Sequence, residues 1–194
     1  MKIKQQKQIK TFLMEEFDEE KAMNIWHEQE QMLSAFIMNI KDKSKSQRKT
    51  LIQTLLPRIA LYKVLLKEGL SQESAYECMQ KYMMNKVAFK KHASMKKMEK
   101  VPGFYAIYSK IFLKYMRKTD LQESVQKCGK GYFDVTITAC MWHRACVEYD
   151  CPELCRIFCD VDDVTYGGLK KMGFSRTKTL GYGGDCCDFH FFKK

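Results

Sequence analysis

The sequence lacks a long apolar run. None of its hydrophobic stretches approaches the roughly 20 residues that a membrane-spanning helix needs. The basic start, MKIKQQKQIK, is not followed by the apolar stretch of a secretory signal. We therefore expect neither a membrane span nor a signal peptide, and we expect the protein to lie in the cytoplasm.

Pairing partners for a disulfide framework are also lacking. The chain has nine cysteines, an odd number, and no secretory signal is predicted, so reduced thiols are expected. Eight of these nine lie at or after Cys128. This skew indicates that the two halves of the chain differ in kind.

Acidic residues are scarce relative to basic ones. The chain carries 34 Lys and Arg against 23 Asp and Glu, for a net charge of +11, and residues 1–100 contribute +8 of it. A basic helical half could contact nucleic acid or an acidic partner. Because no known nucleic-acid motif accompanies the charge, we interpret it as a solvated lysine-rich surface. We expect neither nucleic acid nor a membrane as a partner.

The first half of the chain has helical periodicity, since its apolar residues recur every three or four positions. Pro57 is expected to bend its helix or to move the start of that helix. The stretch KEGLS predicts a helix end at Gly69 and a new start after Ser71. KDKSKSQRK, at residues 41–49, is expected to be a loop. The predicted helices cover residues 11–40 (as one or two helices), 50–67, 72–99 and 104–118.

The second half of the chain mixes strand and helix patterns. YFDVTITA alternates and predicts a strand, CMWHRACVEYD predicts a short helix, and a further helix follows Pro152. FSRTKTL and CDFHFF alternate on either side of the turn GYGGD and predict a hairpin. We therefore expect an α+β fold in which a helical N-terminal half, residues 1–103, packs on a C-terminal domain, residues 104–194, with a small, largely antiparallel sheet.

Alternation in the last strand separates its side chains into two sets. Phe189 and Phe191 share one face with Cys187, so this set is expected to face the core. Asp188 then lies on the other face. There it either lines a cleft or is an ordinary exposed aspartate.

Arg176 lies in the preceding predicted strand, on the same face as Phe174 and Leu180. A buried arginine needs a partner, because an unpaired buried charge is very costly. The expected partner is Asp162, Asp163 or the carboxylate of a ligand. Arginine can bind a carboxylate through two parallel hydrogen bonds. The alternative is a surface arginine in an ordinary ion pair.

Three cysteines, Cys151, Cys155 and Cys159, are spaced for one helix face. They could bind zinc, but the tight C-x₂₋₄-C pairs of structural zinc sites are missing. Small core residues explain the spacing as well, and we expect no metal.

A histidine and a carboxylate cluster are further candidates. His143 follows Cys140 by three residues and could activate that thiol, although a lone histidine is often a packing residue. The stretch CDVDD places Asp162 in a cluster of carboxylates near a predicted helix end, where the helix dipole disfavours them. Such a breach of a local rule indicates either a functional site or an early end to the helix.

A series of short motifs follows in order along the second half of the chain: a strand that leads into Cys140, EYDCPELCRIFC, Cys159-x-x-Asp162, Arg176-x-x-Thr179-Leu180, and Cys187-Asp188-Phe189-x-Phe191 after a glycine turn. Taken in this order, the motifs resemble those of the L-2-amino-thiazoline-4-carboxylic acid hydrolase family over roughly residues 105–194. The resemblance implies hydrolytic opening of a 2-amino-thiazoline ring to a carbamoyl-cysteine. The α+β arrangement is also similar to sensor domains of the vinyl-reductase type, which implies binding rather than catalysis.

The resemblance also implies roles for single residues. Arg176 is expected to clamp the substrate carboxylate. Either Asp162 or Asp188 would hold the amidine or act as the base, and Cys140 or Cys159 is an alternative nucleophile. The remaining substrate-binding candidates are Thr179 and Cys187. His143 is a further substrate-binding candidate and an alternative base, but it lies outside the motifs that carry the resemblance.

The resemblance thus leads to a bacterial hydrolase that acts on a small molecule without a cofactor. A homodimer through the N-terminal helices is left open. Two alternatives remain, a non-catalytic small-molecule sensor domain and a thiol-rich metal-binding module. A sensor would need a closed, mostly apolar pocket, whereas a metal module would need three or four converging Cys or His side chains.

Overall fold

The computed structural model describes residues 3–194. Its contacts divide the chain into two compact units, with the division between Lys86 and Val87. The expected domain boundary at residue 103 stays a prediction. In the described part of the chain, no helix is long and apolar enough to cross a membrane. The helices are α1 (Lys4–Glu16), α2 (Glu19–Met38), α3 (Lys45–Thr50), α4 (Leu56–Lys67), α5 (Gln72–Met83), α6 (Phe89–Met98), α7 (Phe104–Lys118), α8 (Met141–Glu148) and α9 (Leu154–Tyr166), and the strands are β1 (Gln122–Gly129), β2 (Tyr132–Cys140), β3 (Met172–Ser175) and β4 (Cys187–Lys193).

The first unit is helical, as expected, and Pro57 has a local effect within it. Helices α3 and α4 are joined by a π-helical turn, Leu51–Leu55, and Pro57 lies in the first turn of α4. Proline has no N–H for the helical hydrogen-bond ladder, and a wider turn before it accommodates that gap. The buried Gln29 side chain donates to the Pro57 carbonyl at 2.9 Å.

Helix ends in the first unit follow local capping rules. Gly69 has a φ of +86°, and the Ser71 hydroxyl accepts from the Ser74 N–H at 3.1 Å, so both expected caps are confirmed. The expected loop at residues 41–49 is wrong in its second half, since α3 already begins at Lys45. Ser44 and Gln47 form a reciprocal capping box there, which starts the helix in a polar stretch that hydrophobic periodicity does not detect.

The second unit contains one four-stranded sheet in the order β1-β2-β4-β3, and every neighbouring pair is antiparallel. The fold is therefore α+β, as the sequence predicts. Strand β1 was not predicted. Its sequence, QESVQKCG, is polar on both faces, and its one large apolar side chain, Val125, is 70% exposed, so it carries no alternation of polarity.

One face of this sheet forms the core of the second unit. Phe133 of β2 stacks on Phe191 of β4 with ring centroids 4.8 Å apart. Helix α7 reaches the same face through Phe112, 5.2 Å from Phe191, and α9 through Tyr166, 5.1 Å from Phe191. Cys187 is buried in this cluster beside the aromatics of β4, so the predicted core-facing set is confirmed.

The strand expected through Arg176 is shorter than predicted. Strand β3 ends at Ser175, and residues 176–179 are irregular before a short 3₁₀ turn, Leu180–Tyr182. Asp188 explains the early end, because its carboxylate accepts the backbone N–H groups of Thr177 and Lys178, each at 2.9 Å. A side chain thus occupies the donors that a continued strand would offer to β4.

Candidate functional site

Arg176 is the most unusual polar residue of the second unit. Its side chain is only 8% exposed, and its guanidinium carbon lies 6.0 Å from the centre of the Phe189 ring. Nη2 donates to Asp163 Oδ2 at 2.5 Å. Nη1 is buried and has no hydrogen-bond partner among the described residues. A buried cationic donor without a partner is costly, so this nitrogen is a candidate donor to an anionic ligand.

Helix α9 supplies the carboxylates around Arg176. Asp163 is the direct partner, one of those expected, and Asp160 Oδ1 lies 4.0 Å from Nη2. Asp160 also accepts from the Tyr182 hydroxyl at 2.8 Å. The carboxylates therefore belong to the last two turns of a continuous helix, and two of them hold Arg176 and the 3₁₀ turn in place.

Thr179 is a second buried residue whose side-chain hydroxyl has no well-formed hydrogen bond. It is 2% exposed, and its hydroxyl oxygen makes no hydrogen bond of good geometry, although it approaches the Cys159 thiol. Its carbonyl is used, since it accepts from Tyr182 N at 3.1 Å and Gly184 N at 2.9 Å. The backbone therefore fixes this hydroxyl inside the protein, beside the Cys159 thiol.

Asp162 lies on the same helix but in a different environment. Burial raises the pKa of its carboxyl to about 6, and the positive charges of Lys91 and Arg176 only partly oppose this effect. The charge of Asp162 also acts on Tyr108 and Tyr166, whose hydroxyls are hydrogen-bonded at 2.8 Å. A carboxyl with such a pKa can exchange a proton near neutral pH.

A chain of thiols lies on α8 and α9, with Cys146 and Cys155 buried and Cys159 half-buried. The Cys146 and Cys159 thiols donate to Cys155, and these two S–H groups lower the pKa of Cys155 below its ordinary value. Donation to Cys155 raises the pKa of Cys159, and burial adds to the rise. His143, when protonated, favours the Cys155 thiolate as well. The sequence paired His143 with Cys140, whereas its charge acts here on Cys155.

The glycine turn closes over these thiols. A methyl group added at Gly181 would lie 2.9 Å from Cys159 Sγ and 3.1 Å from Cys155 Sγ. At distances this short the neighbouring sulfurs would have to shift, so glycine at this position lets the turn pack closely on α9. The turn and the two thiols therefore form one packed layer.

The other predicted thiols are poor nucleophiles in this state. Burial raises the pKa of Cys140 to about 12 despite the nearby N–H groups of His143 and Trp142. Burial also raises the pKa of Cys187, whose sulfur accepts from Leu180 N at 3.4 Å. Cys187 thus lies next to the 3₁₀ turn and within electrostatic reach of Arg176.

Asp188 is separated from this group. It lies on the sheet face opposite Cys187, and its carboxylate accepts from the Thr177 hydroxyl at 2.5 Å as well as from two backbone N–H groups. Burial works to raise the pKa of Asp188, but these hydrogen bonds together lower it. Asp188 positions the segment that carries Arg176, and both of its carboxylate oxygens are occupied.

Metal binding has no geometric support in residues 3–194, where no three His, Cys, Asp or Glu side chains are grouped so that they could hold an ion. His190 lies on the outer sheet face, with Nδ1 2.6 Å from Asp134 Oδ1. The residues that remain as candidates for the site are Arg176, Thr179, Asp162 and the thiols of α9.

Several of these features were missed from the sequence. Cys155 was considered only as a zinc ligand or a core residue, although its i, i+4 spacing to Cys159 was a usable signal for contact between the two thiols. No sequence pattern pairs Tyr108 with Tyr166, because they come from helices separated in the chain by β1, β2 and α8. The close approach of Gly181 likewise depends on tertiary packing.

Comparison with known proteins agrees with the motif order. Residues 47–191 match the family described as L-2-amino-thiazoline-4-carboxylic acid hydrolase. The match begins well before residue 105 and so includes helices that the motif resemblance left out. No curated protein and no solved structure matches the chain. The similarity to sensor domains of the vinyl-reductase type stays a prediction.

Proposed function

Because this chain belongs to the L-2-amino-thiazoline-4-carboxylic acid hydrolase family, we propose that it hydrolyses a small cyclic amidine. L-2-Amino-thiazoline-4-carboxylate is the proposed substrate and a carbamoyl-cysteine the product. The observation that carries the proposal is the buried Arg176 Nη1 without a partner. We retain the cytoplasm as the proposed location, and a small molecule as the proposed partner.

The substrate carboxylate would bind at Arg176. Asp163 uses one edge of the guanidinium through Nη2, so the donor that remains is Nη1. The Thr179 hydroxyl, also buried without a good partner, could donate to a second carboxylate oxygen. A charge-assisted hydrogen bond at a buried site contributes about 1.5–3 kcal/mol, which corresponds to about 10- to 100-fold in binding.

Ring opening would require water to add at the amidine carbon. Asp162 is the proposed base, because burial holds its pKa at about 6, so its carboxylate is available at neutral pH yet basic enough to take a proton from water. The new C–O bond forms as that proton moves to Asp162. Collapse of the adduct then breaks the ring C–S bond, and the sulfur leaves as a thiol after it receives the proton.

A covalent route through either predicted nucleophile, Cys140 or Cys159, is the less supported mechanism. The pKa values of the predicted nucleophiles Cys140 and Cys159 are raised, and a neutral thiol attacks poorly. The second candidate function is a small-molecule-binding domain without catalysis. The same Arg176 would then bind the ligand carboxylate, and no bond would break.

The test is turnover of L-2-amino-thiazoline-4-carboxylate by the full chain, followed by mass spectrometry of the product, with and without a chelator. Turnover that survives chelation and falls about 10- to 100-fold in kcat/KM in Arg176→Ala is the expected result. Arg144→Ala is the matched control, because Arg144 is exposed and pairs with Glu123 on the surface.

Three other outcomes separate the alternatives. Equal loss in Arg144→Ala and Arg176→Ala would remove the carboxylate-clamp role. Binding of the substrate without turnover, dependent on Arg176, would favour the sensor function. If the folded protein neither binds nor turns over the substrate, both candidate functions are overturned.

A further inference from the structure

Helix α7 carries an apolar ridge on its solvent side. Ile107, Ile111 and Tyr115 are spaced four residues apart and are 49%, 64% and 49% exposed. The spacing places them one above another along the helix. Three large apolar side chains in one exposed line are unusual for a surface that faces only water.

A basic ridge runs beside the apolar one. Lys110, Lys114 and Lys118 repeat at the same four-residue spacing, and Arg117 flanks them; all four are exposed. No Asp or Glu occurs between Phe104 and Lys118. The outer face of α7, defined by these two ridges, is therefore both apolar and purely cationic.

The inner side of α7 fixes the orientation of this face. Leu113 and Met116 are buried in the core of the second unit, and the Phe112 ring lies 5.2 Å from that of Phe191. The helix is thus already folded and held against its own sheet. A partner of the outer face would find it preformed and would not have to order it.

We propose that the outer face of α7 binds an anionic lipid surface without crossing it. Apolar side chains on such a helix enter the boundary between headgroups and acyl chains, and tyrosine suits that boundary. Lysine and arginine beside them attract anionic headgroups. The earlier expectation of no membrane partner was based on the lack of a span, and binding of this kind needs none.

Two other occupants fit this face less well. A second copy would bring the basic ridge of one α7 against that of the other, and like charges repel. A nucleic acid would neutralise the lysines but would leave Ile107 and Ile111 against phosphates. A lipid surface is the partner that uses both ridges.

The test is co-sedimentation of the full chain with phosphatidylcholine vesicles, with and without phosphatidylserine, at low and high salt. Binding is expected only with phosphatidylserine and only at low salt. Each cation near an anionic surface contributes about five-fold, so Lys110→Gln with Lys114→Gln should weaken binding about 25-fold. Ile111→Ser should weaken it about ten-fold.

The control is Lys41→Gln with Lys45→Gln, which removes the same charge from exposed positions elsewhere. Equal weakening in the control pair, or no binding to phosphatidylserine vesicles, would overturn the proposal. A parallel arm uses duplex DNA of random sequence. Retention on DNA that Ile111→Ser leaves intact, without vesicle binding, would assign the face to a polyanion instead.

Discussion

Arg176 and Asp163 form an ion pair whose two members differ greatly in exposure. The arginine side chain is 8% exposed and the aspartate side chain 52%, and Nη2 meets Oδ2 at 2.5 Å. Water can solvate the carboxylate if the arginine is removed. Water cannot reach the guanidinium as easily if the aspartate is removed, so the pair is asymmetric in energy.

This asymmetry predicts that Asp163→Ala destabilises the protein more than Arg176→Met. Removing Asp163 leaves a buried charge with poor compensation, at a cost of about 2 kcal/mol. Methionine at position 176 removes the charge and retains much of the packing against Phe189. Urea unfolding of both variants measures the difference. A larger loss in Arg176→Met would show that the arginine is mainly a structural residue.

Local sequence rules predicted much of this fold. The caps at Gly69 and Ser71, helix α7 and the core set of Cys187, Phe189 and Phe191 follow from short-range chemistry and alternation. Strand β1 could not be predicted in this way. Its own polarity pattern does not indicate a strand, and it becomes one because it pairs with β2.

For the candidate site, the sequence indicated the residue but not its local backbone structure. The sequence identified Arg176 and offered Asp163 among its partners, but assumed that a strand carried the arginine. The structure ends β3 at Ser175 because a side chain, Asp188, takes over the next backbone donors. Contacts of this kind join residues from separate elements, and no single-segment pattern contains them.

Asp188 is predicted to stabilise the Thr177–Lys178 segment. Asp188→Ala removes three hydrogen bonds and should cost about 1–3 kcal/mol in urea unfolding. Asp188→Asn retains one acceptor oxygen and should lose less. Asp185→Ala is the control, because Asp185 is 78% exposed in a surface pair with Lys178, and solvent screens such pairs. Equal losses at positions 185 and 188 would contradict the prediction.

The raised pKa of the Asp162 carboxyl predicts that the stability of the protein depends on pH. Burial raises its pKa from 3.8 to about 6, so the folded state favours the protonated form. Its contribution to stability is complete below 3.8 and is lost as the pH rises through about 6. Asp162→Asn lacks this loss, so its stability relative to the original protein should increase by up to about 3 kcal/mol between pH 4 and pH 7.

Urea unfolding at several pH values, with the difference taken at each, isolates this carboxyl from the others. Asp185→Asn is the control, because its pair with Lys178 lowers the pKa of Asp185 and gives a difference of the opposite sign. A flat difference for Asp162→Asn would show that the carboxyl is not enclosed as described.

The close contact between Gly181 and Cys159 predicts that a substitution at one position offsets the destabilisation caused by a substitution at the other. In Gly181→Ala the new methyl group would lie 2.9 Å from Cys159 Sγ, and such overpacking costs about 1–3 kcal/mol. Cys159→Ala removes that sulfur, so the double variant should be less destabilised than the sum of the single variants. Some cost should remain, because the methyl group would also lie 3.2 Å from the Cys155 carbonyl carbon. Thermal unfolding of the four proteins measures the coupling, and strict additivity would mean that the turn does not pack on the thiols.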